Sequence, residues 1–192
     1  MAMSRTLHLG LLFALLCAAI SSCISPPDYS DTPRIKFKKL DVVRLPSAPG
    51  EQPFDSDTIT ISFEDGDGDL GLNPEDNMAP YNDASVNGKQ TNPNYFNYYI
   101  QAQLKNPSTN QFEDYIIPGS NGEVGQYNGR FPRLTTESTK EGPLKGNLRY
   151  NLGLYLESPF KAGDEIRFRI SIRDRALNLS NEIFTDSYVV KP

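Results

Sequence analysis

The sequence predicts an all-β fold: one antiparallel β-sandwich of about seven to eight strands. Three observations lead there. Apolar residues recur with period two through most of the chain from Ile35 to Val190, the alternation of a half-buried strand. No window shows the 3.6-residue repeat of an amphipathic helix. Fourteen glycines and fifteen prolines fall mainly between the alternating runs, where turns require them. Strands with one apolar and one polar face bury the apolar side by stacking two sheets, which a domain of this length can do around one core. An eight-stranded jelly roll meets the same pattern and stays open as the competing architecture.

The first element is not a strand. Arg5 supplies a positive start, and Leu9 through Ile20 form an uncharged stretch of 12 residues, ending at Ser21-Ser22. That run is too short for a membrane-spanning helix and suits the apolar region of a signal peptide. Residues 1–22 are therefore expected to be removed on export. Ile20-Ser21-Ser22-Cys23 resembles a lipobox, in which the cysteine sulfur takes a diacylglycerol; ordinary cleavage beside an unmodified Cys23 is the alternative. Residues 23–33 then form a lipid-bearing cysteine and a proline-rich tether, and residues 34–192 the sandwich.

The strands follow in order. Ile35 and Phe37 alternate with Lys36 and Lys38, and Leu40 and Val42 continue after a one-residue phase shift that predicts a bulge. Ile59, Ile61 and Phe63 make the second strand; Phe96, Tyr98, Ile100, Ala102 and Leu104 the third. Leu148 through Leu156 and Ile166 through Ile172 are the next long alternations, and a last strand is expected over Glu182–Val190. Shorter strands are expected near Phe112–Ile117 and Gly125–Leu134. Asn73 to Pro93 carries no strand pattern. A loop of that length is either a recognition element or a surface insertion.

Composition excludes several chemistries. His8 is the only histidine, Cys17 precedes the cleavage point, and Cys23 would be acylated, so the mature domain offers no imidazole and no free thiol. A Ser-His-Asp triad, a Cys-His pair and a His-containing zinc site are therefore out of reach, as is a disulfide. No phosphate-binding glycine loop is present. The mature chain carries 18 Lys and Arg against 24 Asp and Glu, with no basic block, and nucleic acid is not an expected partner.

The acidic stretch after the second strand carries the most chemistry. Asp65, Asp67 and Asp69 alternate with Gly66 and Gly68, so the backbone can curl and turn three carboxylates toward one point. Calcium takes six to eight oxygens in such a wrap. Counting from Asp65, Gly71 falls at position seven, Asn73 at nine and Asp76 at twelve, which resembles the calcium loop of EF-hands. Leu70 stands where that loop has glycine, Asp76 where it has glutamate, and a strand precedes it, so only the loop chemistry carries over. The competing reading is a solvated Asp-Gly turn.

A second stretch, Asp174-Arg175-Ala176-Leu177-Asn178-Leu179-Ser180-Asn181, resembles a turn of bacterial immunoglobulin-like domains, with Leu177 in place of glycine. In such a sandwich the loops after the second strand and before the last strand share one end. Asp174, Asn178 or Asn181 is thus expected to complete or brace the ion site, the alternative being local turn hydrogen bonds. Together, ISFEDGDGDLG and RISIRDRALNLSN resemble a family of Bacteroidota-type outer-membrane lipoproteins with immunoglobulin-like domains. The resemblance implies an immunoglobulin-like sandwich and a cell-envelope address, and it carries no activity. Ile24, beside Cys23, points by the same resemblance to the outer membrane. The expected role is a non-catalytic, calcium-braced module that binds an envelope protein or glycan. The alternative is a glycoside hydrolase working through two carboxylates, or a carbohydrate-binding surface protein.

Overall fold

The structure is a computed structural model that describes residues 27–46, 48–86, 89–116, 125–135, 142–156 and 159–192; the expected signal peptide and Cys23 lie outside the described residues. Among the described residues there are ten strands. They are β1 (Arg34–Leu45), β2 (Phe54–Asp65), β3 (Ser85–Val86), β4 (Lys89–Gln90), β5 (Tyr98–Lys105), β6 (Phe112–Asp114), β7 (Leu144–Tyr155), β8 (Glu165–Ile172), β9 (Ile183–Phe184) and β10 (Tyr188–Val189). Two antiparallel sheets hold eight of them. One has the order β1-β2-β7; the other runs β10-β8-β5-β6, with β9 also on β8. The two sheets are compatible with a β-sandwich, and the chain passes between them more than once. The first hairpin stays in one sheet, the chain crosses for β5 and β6, returns to place β7 beside β2, and crosses again to place β8 beside β5. A jelly roll sends consecutive strands to opposite sheets, and the β1-β2 pair does not.

Period two explains these strands. Along β2 every second residue is buried without interruption from Asp55 to Asp65, and Thr58, Thr60, Ser62 and Glu64 face outward. β1 follows the same rule with a register shift between Phe37 and Lys39, the predicted bulge. Ile35 opposite Phe63 and Leu40 opposite Ile59 therefore both point inward although their spacing is odd. The core between the sheets includes Ile59, Ile61, Leu154, Phe160, Phe168 and Ile170, each at most 1% exposed. A buried side chain of that size contributes about 1.5–3 kcal/mol.

Three expected elements take another form. The segment expected as a strand near Gly125–Leu134 holds no ladder in its described part: Gly129 pairs with Tyr98, and the two sides of Asn97 close on the backbone of Phe131. The last strand divides into β9 and β10 because Thr185 intervenes, its hydroxyl accepting the Phe168 N–H while its own N–H reaches the Phe168 carbonyl. The stretch from Asn73 to Pro93 contains the small β3-β4 hairpin, and Asn92 caps a single 3₁₀ turn at Pro93–Tyr95. Phe96 ends that turn, so β5 starts at Tyr98.

The topology fixes where the loops meet. Tyr98 pairs with Ile172, so β5 begins where β8 ends, and β5 is entered from the end at which the chain leaves β2. The exits of β2 and β8, one in each sheet, thus share one end of the sandwich. The tether touches this end too: Gly66 donates its N–H to the Ser30 carbonyl, and a Cβ on Gly66 would lie 2.4 Å from the Tyr29 carbonyl oxygen. Glycine is required there by close approach.

Candidate metal centre

Asp65 is the last residue of β2 and keeps its inward parity, so its carboxylate is carried into the sandwich rather than out to water, 0% exposed. Gly68, at φ +77°, turns the chain so that its N–H reaches Asp65 Oδ2 at 3.0 Å. Asp69 follows, its Oδ2 accepting the Ala176 N–H at 2.8 Å from the β8 exit loop. Asp174, 2% exposed, receives both the Asn178 N–H at 2.7 Å and the Asn178 side-chain amide at 2.9 Å. Carboxylate oxygens of Asp65, Asp69 and Asp174 lie within 4.8 Å of one another.

The second oxygens are unusual. Asp65 Oδ1, Asp67 Oδ1 and Asp69 Oδ1 are buried and accept no hydrogen bond. None of Asp65, Asp67, Asp69 and Asp174 has a Lys or Arg partner among the described residues. Burial, then the neighbouring Asp67 and Asp69, push the Asp65 carboxyl up to about 7. Burial, then Asp174 and Asp67, push Asp69 up to about 6, and Asp174 is raised mainly by burial. Orphaned buried acceptors that repel one another are costly. A cation in their midst relieves both terms, and oxygen ligands on glycine-flanked loops match calcium better than zinc or copper.

The EF-hand register holds only at its start. The structure gathers Asp65 and Asp69 with Asp174, leaves Asp67 as a neighbouring charge outside that closest group, and gives Asn73 and Asp76 other work. Asp76 Oδ2 accepts from Arg175 at 2.7 Å and from the Asn73 N–H at 2.8 Å, while Oδ1 faces Arg133 at 3.4 Å; burial pushes its carboxyl up, and these bonds together outweigh it and hold the carboxyl below the usual range. The Asn73 side-chain oxygen accepts the Arg133 N–H, and Arg130 bonds the Asn73 and Asp76 carbonyls. A guanidinium cage closes this part of the loop, because the arginines come from distant segments that counting along one loop ignores. Gly71, at φ +101°, turns the chain so closely that a Cβ would meet the Pro132 carbonyl oxygen at 2.2 Å.

The partner loop divides as well. Asp174 joins the cluster, Asn178 braces it through Asp174, and Asn181 does neither. Its Oδ1 accepts the Ile35 N–H at 2.9 Å and its amide donates to the Ile35 carbonyl at 3.0 Å, tying the β8 exit loop to β1. Leu177 stands at φ +71° where the related turn has glycine.

A polar group at the other end of the sandwich was not foreseen. Asp55 and Asp57 extend the inward parity of β2 and are 2% and 0% exposed. Arg44 binds Asp55 at 2.5 Å, and the Tyr188 hydroxyl donates to Asp57 at 2.7 Å. The signal lay in Phe54-Asp55-Ser56-Asp57, which shares the parity of Ile59 and Ile61. Comparison of the chain with protein-family models, with curated proteins and with solved structures finds no match.

Proposed function

We propose that the protein is a lipid-anchored, non-catalytic module of the bacterial cell envelope, braced by calcium where its two sheets exchange loops. The observation that carries this reading is the set of three buried, unbonded carboxylate oxygens of Asp65, Asp67 and Asp69 beside Asp174. Asp65, Asp67, Asp69 and Asp174 would hold the ion, which supplies charge neutralisation across two loops and no reaction step. Calcium tolerates the irregular geometry of such a site, whereas magnesium demands a near-octahedral shell.

The anchored address rests on Ile20-Ser21-Ser22-Cys23, and the outer membrane on Ile24 and the resemblance to Bacteroidota-type lipoproteins. The non-catalytic role is supported by the lack of histidine and free thiol after residue 23, and by a groove beside β1 and β7. That groove, about 1070 Å³, is lined by one carboxylate, Glu64, which is ion-paired to Lys145 at 2.7 Å. A hydrolase working through two carboxylates needs a second, about 5–10 Å away. The partner would be an envelope protein or a glycan.

Thermal melts in calcium and in chelator test the brace. Saturation at a hundred times the dissociation constant adds about 2.7 kcal/mol, several degrees for a domain of this size. The Asp65→Asn variant should lose that response. A melting temperature indifferent to calcium removes the ion from the proposal. For the anchor, mass spectrometry of the N-terminal peptide from the native protein should find a diacylglyceryl group on Cys23; an unmodified thiol there rejects it.

A further inference from the structure

The outward face of the β1-β2-β7 sheet has a charge opposite in sign to the chain as a whole, whose formal net charge is −5. Cross-strand register arranges this face in rows. Arg34, Glu64 and Lys145 form the row nearest the tether, followed by Lys36, Ser62 and Asn147, then by Lys39, Thr60 and Arg149. Ion pairs at 2.7 Å join Lys145 to Glu64 and Lys39 to Asp41, and Arg34, Lys36 and Arg149 have no ion-pair partner among the described residues. Toward the other end the face becomes apolar. Val43 is 54% exposed, Leu45 40% and Tyr155 59%, with Phe54 packed edge-on against Tyr155 at 5.1 Å. Cations in one half and uncovered apolar side chains in the other are not explained by the fold, since neither set contributes to the core.

We propose that this sheet face docks on an anionic phospholipid surface. Arg34, Lys36 and Arg149 meet headgroup phosphates, and Val43, Leu45 and Tyr155 enter the interfacial layer. Two further features favour this occupant. An acidic polysaccharide would satisfy the cations and leave the apolar half facing water, whereas a bilayer surface takes both. Because Tyr29 rests against Gly66, six peptide units separate it from Cys23, a reach of about 20 Å when extended. The proposal rests on the anchored reading only for that proximity. Elsewhere the molecule is acidic and is repelled by the same surface, so the basic face sets the orientation.

The test uses the chain from residue 23 with Cys23→Ser, which carries no lipid and retains the whole core, Ile35 to Val190. It is sedimented with vesicles of phosphatidylcholine alone or mixed with phosphatidylglycerol, in calcium and in chelator. Binding should appear with the anionic lipid, weaken with salt, and persist in chelator. The pair Lys36→Glu and Arg149→Glu should weaken it by at least roughly 25-fold, at about five-fold for each cation removed. Leu45→Ser with Tyr155→Ser should weaken it at fixed charge. Each variant is checked for an unchanged circular dichroism spectrum; if the charge reversals misfold, Lys36→Gln with Arg149→Gln replaces them. No preference for anionic vesicles overturns the proposal. So does binding that survives the sheet variants, binding that needs calcium, or retention by an acidic polysaccharide without vesicle binding. Failure of lipidation at Cys23 is read on the native protein and leaves this assay untouched.

Discussion

A carboxylate withdrawn from water needs a cation, a set of donors or a proton, and the inward aspartates of β2 divide among these fates. Asp55 has the guanidinium of Arg44. Asp65 has one backbone donor, and its Oδ1 is left for the proposed cation. Asp57 has one donor, the Tyr188 hydroxyl, and lies beside Asp55 and Tyr127; burial pushes its carboxyl up to about 7 although that hydrogen bond pulls the other way. A carboxyl raised from 3.8 when folded binds more protons folded than unfolded. Its contribution is therefore complete below about pH 4 and is lost as pH rises through about 7. The Asp57→Asn variant keeps an acceptor for Tyr188 and has no charge to bury. In calcium-saturated protein it should be more stable than the parent at pH 8, by up to about 4 kcal/mol, and the gap should close toward pH 4. Urea unfolding at both pH values measures it; parallel pH profiles would show that Asp57 is not the titrating group. Asp76 makes the complementary case. Asp76→Ala should cost about 1–3 kcal/mol by leaving Arg133 and Arg175 without their anion, yet leave calcium affinity nearly intact, whereas Asp174→Asn should weaken affinity. Calorimetric titration of the two variants separates them, and equal loss of affinity would return Asp76 to the ion's ligand shell.

Several joints between elements are made by side chains that imitate a neighbouring strand. Asn97 gives Phe131 a donor and an acceptor, as a ladder residue would, and Asn181 does the same for Ile35. Asn181→Ala leaves the Ile35 amide and carbonyl unpaired at the start of β1 and should destabilise by about 1–3 kcal/mol without altering the calcium response. Urea melts in calcium and in chelator check both halves, and a variant as stable as the parent would reduce the joint to a surface contact. These joints also explain which elements were legible in sequence. β1, β2, β5, β7 and β8 announce themselves because two-residue alternation follows directly from burying one face, and even the bulge after Phe37 leaves a trace as a phase shift. The segment carrying Gly129 and Phe131 reads in sequence as a short strand and makes no ladder, since it is held by the Asn97 side chain, a single bridge to Tyr98 and backbone bonds to Leu70 and Leu72. At the site, Asp65, Asp67, Asp69 and Asp174 were readable because alternating carboxylates and a turn motif are local patterns. The cage that removes Asp76 was not, because Arg133 and Arg175 arrive from other parts of the chain.

At the scale of the molecule, the acidic cluster is a contact between sheets. Asp65 ends β2 in the first sheet with Asp67 and Asp69 just after it, and Asp174 follows β8 in the second, so the proposed ion would join the two layers at one end. Without it, crowded carboxylates would push those layers apart where the hydrophobic core is ending, while the opposite end is held by other means. There Leu156 donates to the Pro53 carbonyl and Val190 to the Asp164 carbonyl, and Arg44 reaches the carbonyls of Lys191 and Pro192. Chelation should consequently act by local opening at one end, with the whole fold retained. Hydrogen exchange can see this directly, because three amides of the cluster each bond a carboxylate: Gly68 to Asp65, Ala176 to Asp69 and Asn178 to Asp174. These amides should lose protection on chelation by roughly tenfold or more if the ion contributes above about 1.4 kcal/mol. The amides of Leu156 and Val190, at the far end, should change much less. Uniform loss across both ends would mean that the ion stabilises only against global unfolding, and unchanged exchange at Gly68, Ala176 and Asn178 would mean that no ion joins the sheets.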